Sequence, residues 1–362
     1  MTTPPPATPP PAAPPPAAPP PAATVPATPP PAATVPVEGP PAGAVLDVDR
    51  LSVRFRMRGG RHVEAVTGAT FRLGPGECLA LVGESGCGKS VLASALLGLL
   101  PGNAETAGSA RLADGLDLLA ADETTLASTV RGRRIGLVPQ SPAAHLTPVR
   151  TIRSHLEETV RELTGKALRG RRGAGPRGAR LRAAAEEAAA RAEFPESHLD
   201  RYPHELSGGL AQRAATALAL VGDAPLLLAD EPTTGLDRDL VHRTVDELRA
   251  HTRDADRALL MITHDLTAAQ RIADTVAVMY AGRIVEIAPA EAFFGAPGPR
   301  HPYARGLLDA LPERAFTPIP GAPPELGDLP AGCAFAARCA LADASCRADR
   351  PPLTEGVACH HA

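Results

Sequence analysis

Residues 45–56 (Val-Leu-Asp-Val-Asp-Arg-Leu-Ser-Val-Arg-Phe-Arg) alternate apolar and polar positions. That period of two predicts a half-buried strand. Gly59-Gly60 marks a turn, and Val63 to Leu73 reads as further strand. Past Gly74-Pro75-Gly76-Glu77 the pattern changes. Cys78 to Val82 is apolar throughout, as a buried strand is, and an apolar helix is expected over Val91 to Leu100. Strands are expected at Leu112–Leu118 and Arg134–Val138, around a short helix near Asp122–Arg131. Thr151 to about Ala192 has an interrupted helical pattern. An Ala/Leu-rich helix runs to Val221, a short apolar strand covers Leu226–Ala229, and a helix runs from Asp237 to about His251. Arg257–Thr263 reads as another strand, and Thr275–Tyr280, Ala281-Gly282 and Arg283–Ile287 as a closing hairpin.

The chemistry sits where these elements end. Gly83-Glu84-Ser85-Gly86-Cys87-Gly88-Lys89-Ser90 fits G-x-x-x-x-G-K-[ST], with a strand before it and a helix after it. Glycines let backbone N–H groups close around phosphates, and the helix N-terminus adds positive potential. Lys89 can reach β- and γ-phosphates, and Ser90 can ligate Mg²⁺. Gln140 follows the strand ending at Val138 and can reach a metal or a water near a γ-phosphate; taken alone, it is an ordinary polar loop residue. Ser207-Gly208-Gly209 opens a second helix with close-approach glycines, suited to an anion. Two such sites in one chain suggest that the second serves a nucleotide bound on a partner. Asp230 and Glu231 end an apolar strand. Adjacent carboxylates there are costly unless they serve a cation, so Asp230 is expected to hold Mg²⁺ through water and Glu231 to polarise an attacking water. His264, at the end of the next strand, can donate to a γ-phosphate oxygen.

Composition narrows the partners. The chain has 362 residues, a net charge of −3, 3% aromatics and no Trp. Neither a global basic field nor a base-stacking platform is present, so nucleic acid is not expected as a partner. Residues 165–182 carry Lys166, Arg169, Arg171, Arg172, Arg177, Arg180 and Arg182. Without interleaved aromatics they read as a solvated basic loop. No apolar run approaches the roughly 18–20 residues that span a bilayer, and no positively charged n-region precedes an apolar stretch at the N-terminus. A cytoplasmic chain is expected, reaching the membrane only through partners. Nineteen of the 41 prolines fall within Met1–Pro41, so residues 1–43 are expected to be a disordered, stiff tail.

In order the chain holds a phosphate loop, a Gln140 loop, a Leu-Ser-Gly-Gly signature, a strand ending in Asp230-Glu231, a Gly235-Leu236-Asp237 loop and His264. This set resembles the nucleotide-binding subunit of an ABC transporter over about residues 45–290. Val82–Ser90, Tyr202-Pro203-His204, Asp230–Thr234 and His301-Pro302-Tyr303-Ala304 resemble the oligopeptide/dipeptide (and nickel) importer branch. The signature departs from the family pattern at Leu210-Ala211.

The resemblance implies an α/β P-loop NTPase with an antiparallel β subdomain, a helical subdomain near 141–205, an ATP-binding domain over 44–290 and a Cys-rich extension over 291–362. It implies an ATPase that uses ATP and Mg²⁺ at the cytoplasmic face of the membrane. Expected partners are a second ATPase subunit, a paralogue, two transmembrane permease subunits and an extracytoplasmic solute-binding protein. In this scheme the P-loop, Lys89 and Ser90 hold one nucleotide, with Ser90, Gln140 and Asp230 around Mg²⁺. Ser207, Gly208 and Gly209 belong to the paired-subunit site, Asp237 is a further nucleotide-binding residue, and Glu231, His264 and Gln140 belong to catalysis. Phe55 is the candidate adenine-stacking residue, or else a core residue of its strand. Import of nickel or another small solute, and a soluble non-transport ABC ATPase, are the alternatives.

Cys333, Cys339, Cys346 and Cys359 lie in a short segment with little apolar content, which needs a staple to fold. Four thiolates can hold zinc or an iron–sulfur cluster, and the spacing lacks the close pairs typical of zinc. The resemblance implies a [4Fe–4S] cluster. His360 and His361 are alternative ligands.

Overall fold

A computed structural model describes residues 43–164, 176–254 and 256–362. The Pro-rich tail (1–42) and the first part of the basic stretch (165–175) lie outside the described residues.

Two sheets organise the fold. β1 (Leu46–Arg56), β2 (His62–Leu73) and β4 (Ala104–Leu112) form an antiparallel sheet in the order β2-β1-β4. β3 (Cys78–Val82), β5 (Ile135–Val138), β6 (Leu226–Asp230), β7 (Ala258–Thr263), β8 (Thr275–Tyr280) and β9 (Arg283–Pro289) form the other, in the order β5-β6-β7-β3-β8-β9. The first five of that order are parallel, and β9 returns antiparallel along β8.

The apolar runs follow from burial on both faces of this larger sheet. Leu79 and Leu81 of β3 join the core shared with β1, β2 and β4, whereas Ala80 and Val82 join a core with β8 and the C-terminal segment. In β6, Leu226 and Leu228 face the first core. Leu227 and Ala229 face a second core, which includes residues of the helices Ile152–Thr164, Pro176–Arg191, Gly208–Leu220 and Arg238–Asp254.

Three sequence expectations are corrected. The strand expected at Leu112–Leu118 lies earlier, at Ala104–Leu112, because its polar residues are held by pairing with β1 (Val53↔Thr106, Arg54↔Glu105), which alternation along the segment does not encode. The helix expected over Val91–Leu100 spans Lys89–Leu96, and the left-handed Gly98 (φ 63°) follows its end. Arg177, Arg180 and Arg182 sit on the helix Pro176–Arg191 rather than on a loop.

Parallel strands place their carboxyl ends on one edge, where open α/β sheets bind ligands. β3 therefore delivers the P-loop, β5 Gln140, β6 Asp230-Glu231 and β7 His264 to the same edge.

Candidate nucleotide site

The P-loop closes on itself through its lysine. Lys89 is buried, and its Nζ donates to the carbonyls of Gly83 (2.8 Å) and Glu84 (3.0 Å). Two glycines are required by shape. A Cβ on Gly83 would stand 2.2 Å from the Met279 carbonyl oxygen, and one on Gly88 (φ 109°) 2.2 Å from that of Ala65. Cys87 is buried in the loop, and burial pushes its thiol pKa up against the opposing pull of Lys89.

Beside the loop, Ser90 Oγ donates to Asp230 Oδ1 at 3.1 Å. Burial raises the Asp230 carboxyl. The Ser90 hydrogen bond opposes that shift, Glu231 adds to it and Lys89 opposes it. A hydroxyl and a partly desolvated carboxylate at hydrogen-bond distance suit a hard divalent cation.

Glu231 is the hub of the next group. Its side chain is 12% exposed, and His264 Nδ1 lies 3.3 Å from its Oε1. Its Oε2 accepts from Gln140 Nε2 at 3.1 Å and from Thr234 Oγ1 at 2.9 Å. Its backbone has φ 47°, an uncommon conformation for a side-chain-bearing residue, and its amide is held by the Ile262 carbonyl at 2.8 Å. Thr234 is a hydrogen-bonding neighbour of Glu231 to which the sequence analysis gives no role. Its place three residues after Glu231, in the turn Glu231–Thr234, was the available signal.

The signature residues are arranged as a helix start. Ser207 caps the helix Gly208–Leu220, its Oγ accepting from the Leu210 amide. A Cβ on Gly208 meets nothing within 4 Å, so that face is open, whereas Gly209 packs against Leu240. Asp237 accepts from the Leu240 amide at 3.0 Å and starts the following helix. The hydrogen bonds of Ser207 stay inside its own helix, with the Leu210 and Ala211 amides. Phe55 lies half-buried near the end of β1, against the first core.

The C-terminal segment reaches this site. Tyr303 Oη accepts from the Glu84 amide at 2.9 Å, and Arg338 makes a two-pronged pair with the Glu84 carboxylate, both contacts 2.9 Å. The segment also draws on the main body for apolar support. Phe335 is buried in the third core, and the Ala358 amide donates to the Val285 carbonyl of β9. No disulfide joins the four C-terminal cysteines; Cys346 is buried and the others half-buried. Burial pushes the Cys333 thiol up, and Cys346, Cys359 and Cys339 add to that shift. Among the described residues, the ligand atoms of Asp343, Cys346 and His361 lie within 4.8 Å of one another.

Two family models match: ABC transporter over residues 66–234, and the oligopeptide/dipeptide transporter C-terminal region over residues 285–346. The oligopeptide transport ATP-binding protein OppD of Haemophilus influenzae is 39% identical over 315 residues, covering 86% of this chain and 93% of that protein. The chain belongs to the ABC transporter family. Within it, the dipeptide transport ATP-binding protein DppD of Bacillus subtilis is 38% identical, covering 82% of this chain and 86% of its own length. OppD of Mycobacterium tuberculosis is 39% identical over 88% of this chain, but the chain spans about half (51%) of that longer relative. A bacterial ABC transporter cassette solved as a dimer has the same fold, with a TM-score of 0.58 at 26% identity, covering 68% of this chain and 98% of that one. The P-loop, Gln140, Asp230-Glu231 and Ser207–Gly209 all lie within the matched cassette region. His264 lies beyond it. Among the described residues, no helix is long and apolar enough to cross a membrane.

Proposed function

We propose that this chain is the ATP-hydrolysing subunit of an ABC importer for oligopeptides or dipeptides, working at the cytoplasmic face of the membrane. The observation that carries the reading is the Glu231 carboxylate, aimed and shared among Gln140, Thr234 and His264 beside the Ser90–Asp230 pair. The chemistry is largely positioning and charge stabilisation. Lys89 and the P-loop amides hold the β- and γ-phosphates. Ser90, Asp230 and Gln140 would hold Mg²⁺, which would neutralise charge on the phosphates. Glu231 orients the attacking water and takes its proton, and His264 and Gln140 contact the γ-phosphate side. Phe55, half-buried near the end of β1, is the candidate for stacking on the adenine.

Ser207, Gly208 and Gly209 serve the nucleotide of a second ATPase subunit, a paralogue, and Asp237 is a further nucleotide-binding residue. The open space over Gly208 supports that role. Two permease subunits receive the motion through the helical subdomain near 141–205, and an extracytoplasmic solute-binding protein delivers the peptide. The match to the oligopeptide/dipeptide C-terminal region favours that class of solute. Cys333, Cys339, Cys346 and Cys359 would hold a [4Fe–4S] cluster with a structural role. The Cys333 amide donates to the Cys346 carbonyl at 2.8 Å, which brings two of the four cysteines side by side and supports this reading.

The test is a pull-down from detergent-solubilised membranes using Glu231→Gln with ATP and Mg²⁺. Two multi-pass permease subunits and a second ATPase are the expected captures. Recovery of soluble partners or nucleic acid alone would sink the reading. Iron and acid-labile sulfide in anaerobically purified protein test the cluster.

A further inference from the structure

Glu84 occupies the second position of the P-loop, where a carboxylate is electrostatically awkward. A bound triphosphate brings several negative charges to the same loop, and like charges disfavour each other strongly where solvent is limited. The loop answers this with a group from far along the chain. Arg338 clamps both Glu84 oxygens at 2.9 Å, and its side chain is only 4% exposed. The guanidinium is itself fixed: Nε donates to the Pro320 carbonyl at 2.8 Å, Nη1 to Tyr280 Oη at 3.3 Å, and its carbon lies 5.8 Å from the ring centroids of both Tyr280 and Phe335. Such a planar, bidentate and stacked geometry suits arginine and not lysine. A second tie acts on the backbone. Tyr303, fully buried at the start of the helix Pro302–Asp309, accepts the Glu84 amide. That amide is therefore committed to the extension.

We infer that Arg338 and Tyr303 are positioning residues for the P-loop: they neutralise and orient Glu84, so that the C-terminal extension sets the loop's affinity for Mg·ATP. The inference rests on the nucleotide-binding reading of the P-loop but not on the solute or on hydrolysis. The short turn that carries Arg338, Ala336–Arg338, lies between Cys333 and Cys339, so local order around those cysteines also bears on the loop.

The test is calorimetric titration of the full chain with Mg·ATP, alongside thermal melts. Arg338→Met should raise Kd at least fivefold. Glu84→Gln combined with Arg338→Met should recover most of that loss, because removing the carboxylate removes the need for its partner. A residue that only props up the fold would give no such rescue. Arg338→Lys should fall between parent and Met. Should Arg338→Met fail to fold, Tyr303→Phe, which keeps the ring in the core and removes only the hydroxyl, should still raise Kd twofold or more. Parent-like affinity in Arg338→Lys and Tyr303→Phe, or a double variant no better than Arg338→Met, would overturn the inference. Parent protein that binds no Mg·ATP would instead refute the nucleotide reading on which it stands.

Discussion

Ser90 Oγ donates to Asp230 Oδ1 at 3.1 Å, joining the P-loop to the end of β6 across 140 positions of sequence. The bond aligns a hydroxyl and a carboxylate as a pair of oxygen donors. Asp230→Asn keeps the shape and removes the charge. Nucleotide binding in the presence of Mg²⁺ should weaken by an order of magnitude, with little change when Mg²⁺ is chelated. Titration with and without EDTA measures that difference.

Glu231 should separate binding from turnover. Glu231→Gln retains hydrogen-bonding groups for Gln140 and Thr234 but cannot accept a proton. Loss of a general base costs about 10²–10⁴-fold in rate. Phosphate release should fall by that order while Mg·ATP binding stays within a few-fold of the parent. An unchanged hydrolysis rate would refute the assignment.

Thr234 tests how tightly that carboxylate must be aimed. Thr234→Val removes one hydrogen bond to Glu231 Oε2. A hydrogen bond of this kind is worth about 1 kcal/mol, or roughly fivefold. A several-fold fall in hydrolysis at constant nucleotide affinity and constant melting temperature is expected.

Gly88→Ala places a Cβ 2.2 Å from the Ala65 carbonyl oxygen at φ 109°. The obstacle is backbone, which gives little. Strain of this sort costs about 1–3 kcal/mol. A lowered urea midpoint together with lost nucleotide binding is expected; parent-like values for both would contradict the loop geometry.

His301 supplies a pH dependence. Burial depresses its pKa from 6.5 to about 4, and its Nδ1 accepts from the Tyr303 amide at 3.1 Å, which needs the neutral ring. The unfolded chain takes up a proton as pH falls below about 6.5, whereas the folded chain resists until about 4. Stability is therefore lost across that window on acidification, by up to about 3 kcal/mol. His301→Asn keeps a capping acceptor without the titration. The urea midpoint of the variant should depend less on pH between 6.5 and 4 than that of the parent.

What the sequence determined by itself was local. Alternation along residues 45–56 identified a one-sided strand, unbroken apolar runs at Cys78–Val82 and Leu226–Ala229 identified strands buried on both faces, and G-x-x-x-x-G-K-S identified a phosphate loop. Each reads out a face, a turn or a backbone conformation, which neighbouring residues encode. The tertiary structure decided which strands lie side by side. The order β5-β6-β7-β3 brings Gln140 to Glu231 across 91 positions and His264 beside them. It also gave the polar segment Ala104–Leu112 its strand, since pairing with β1 rather than alternation holds it. And it set Arg338 on Glu84 across 254 positions. No local pattern carries that pairing, because an ion pair between distant segments exists only once both chain paths are fixed by the cores beneath them.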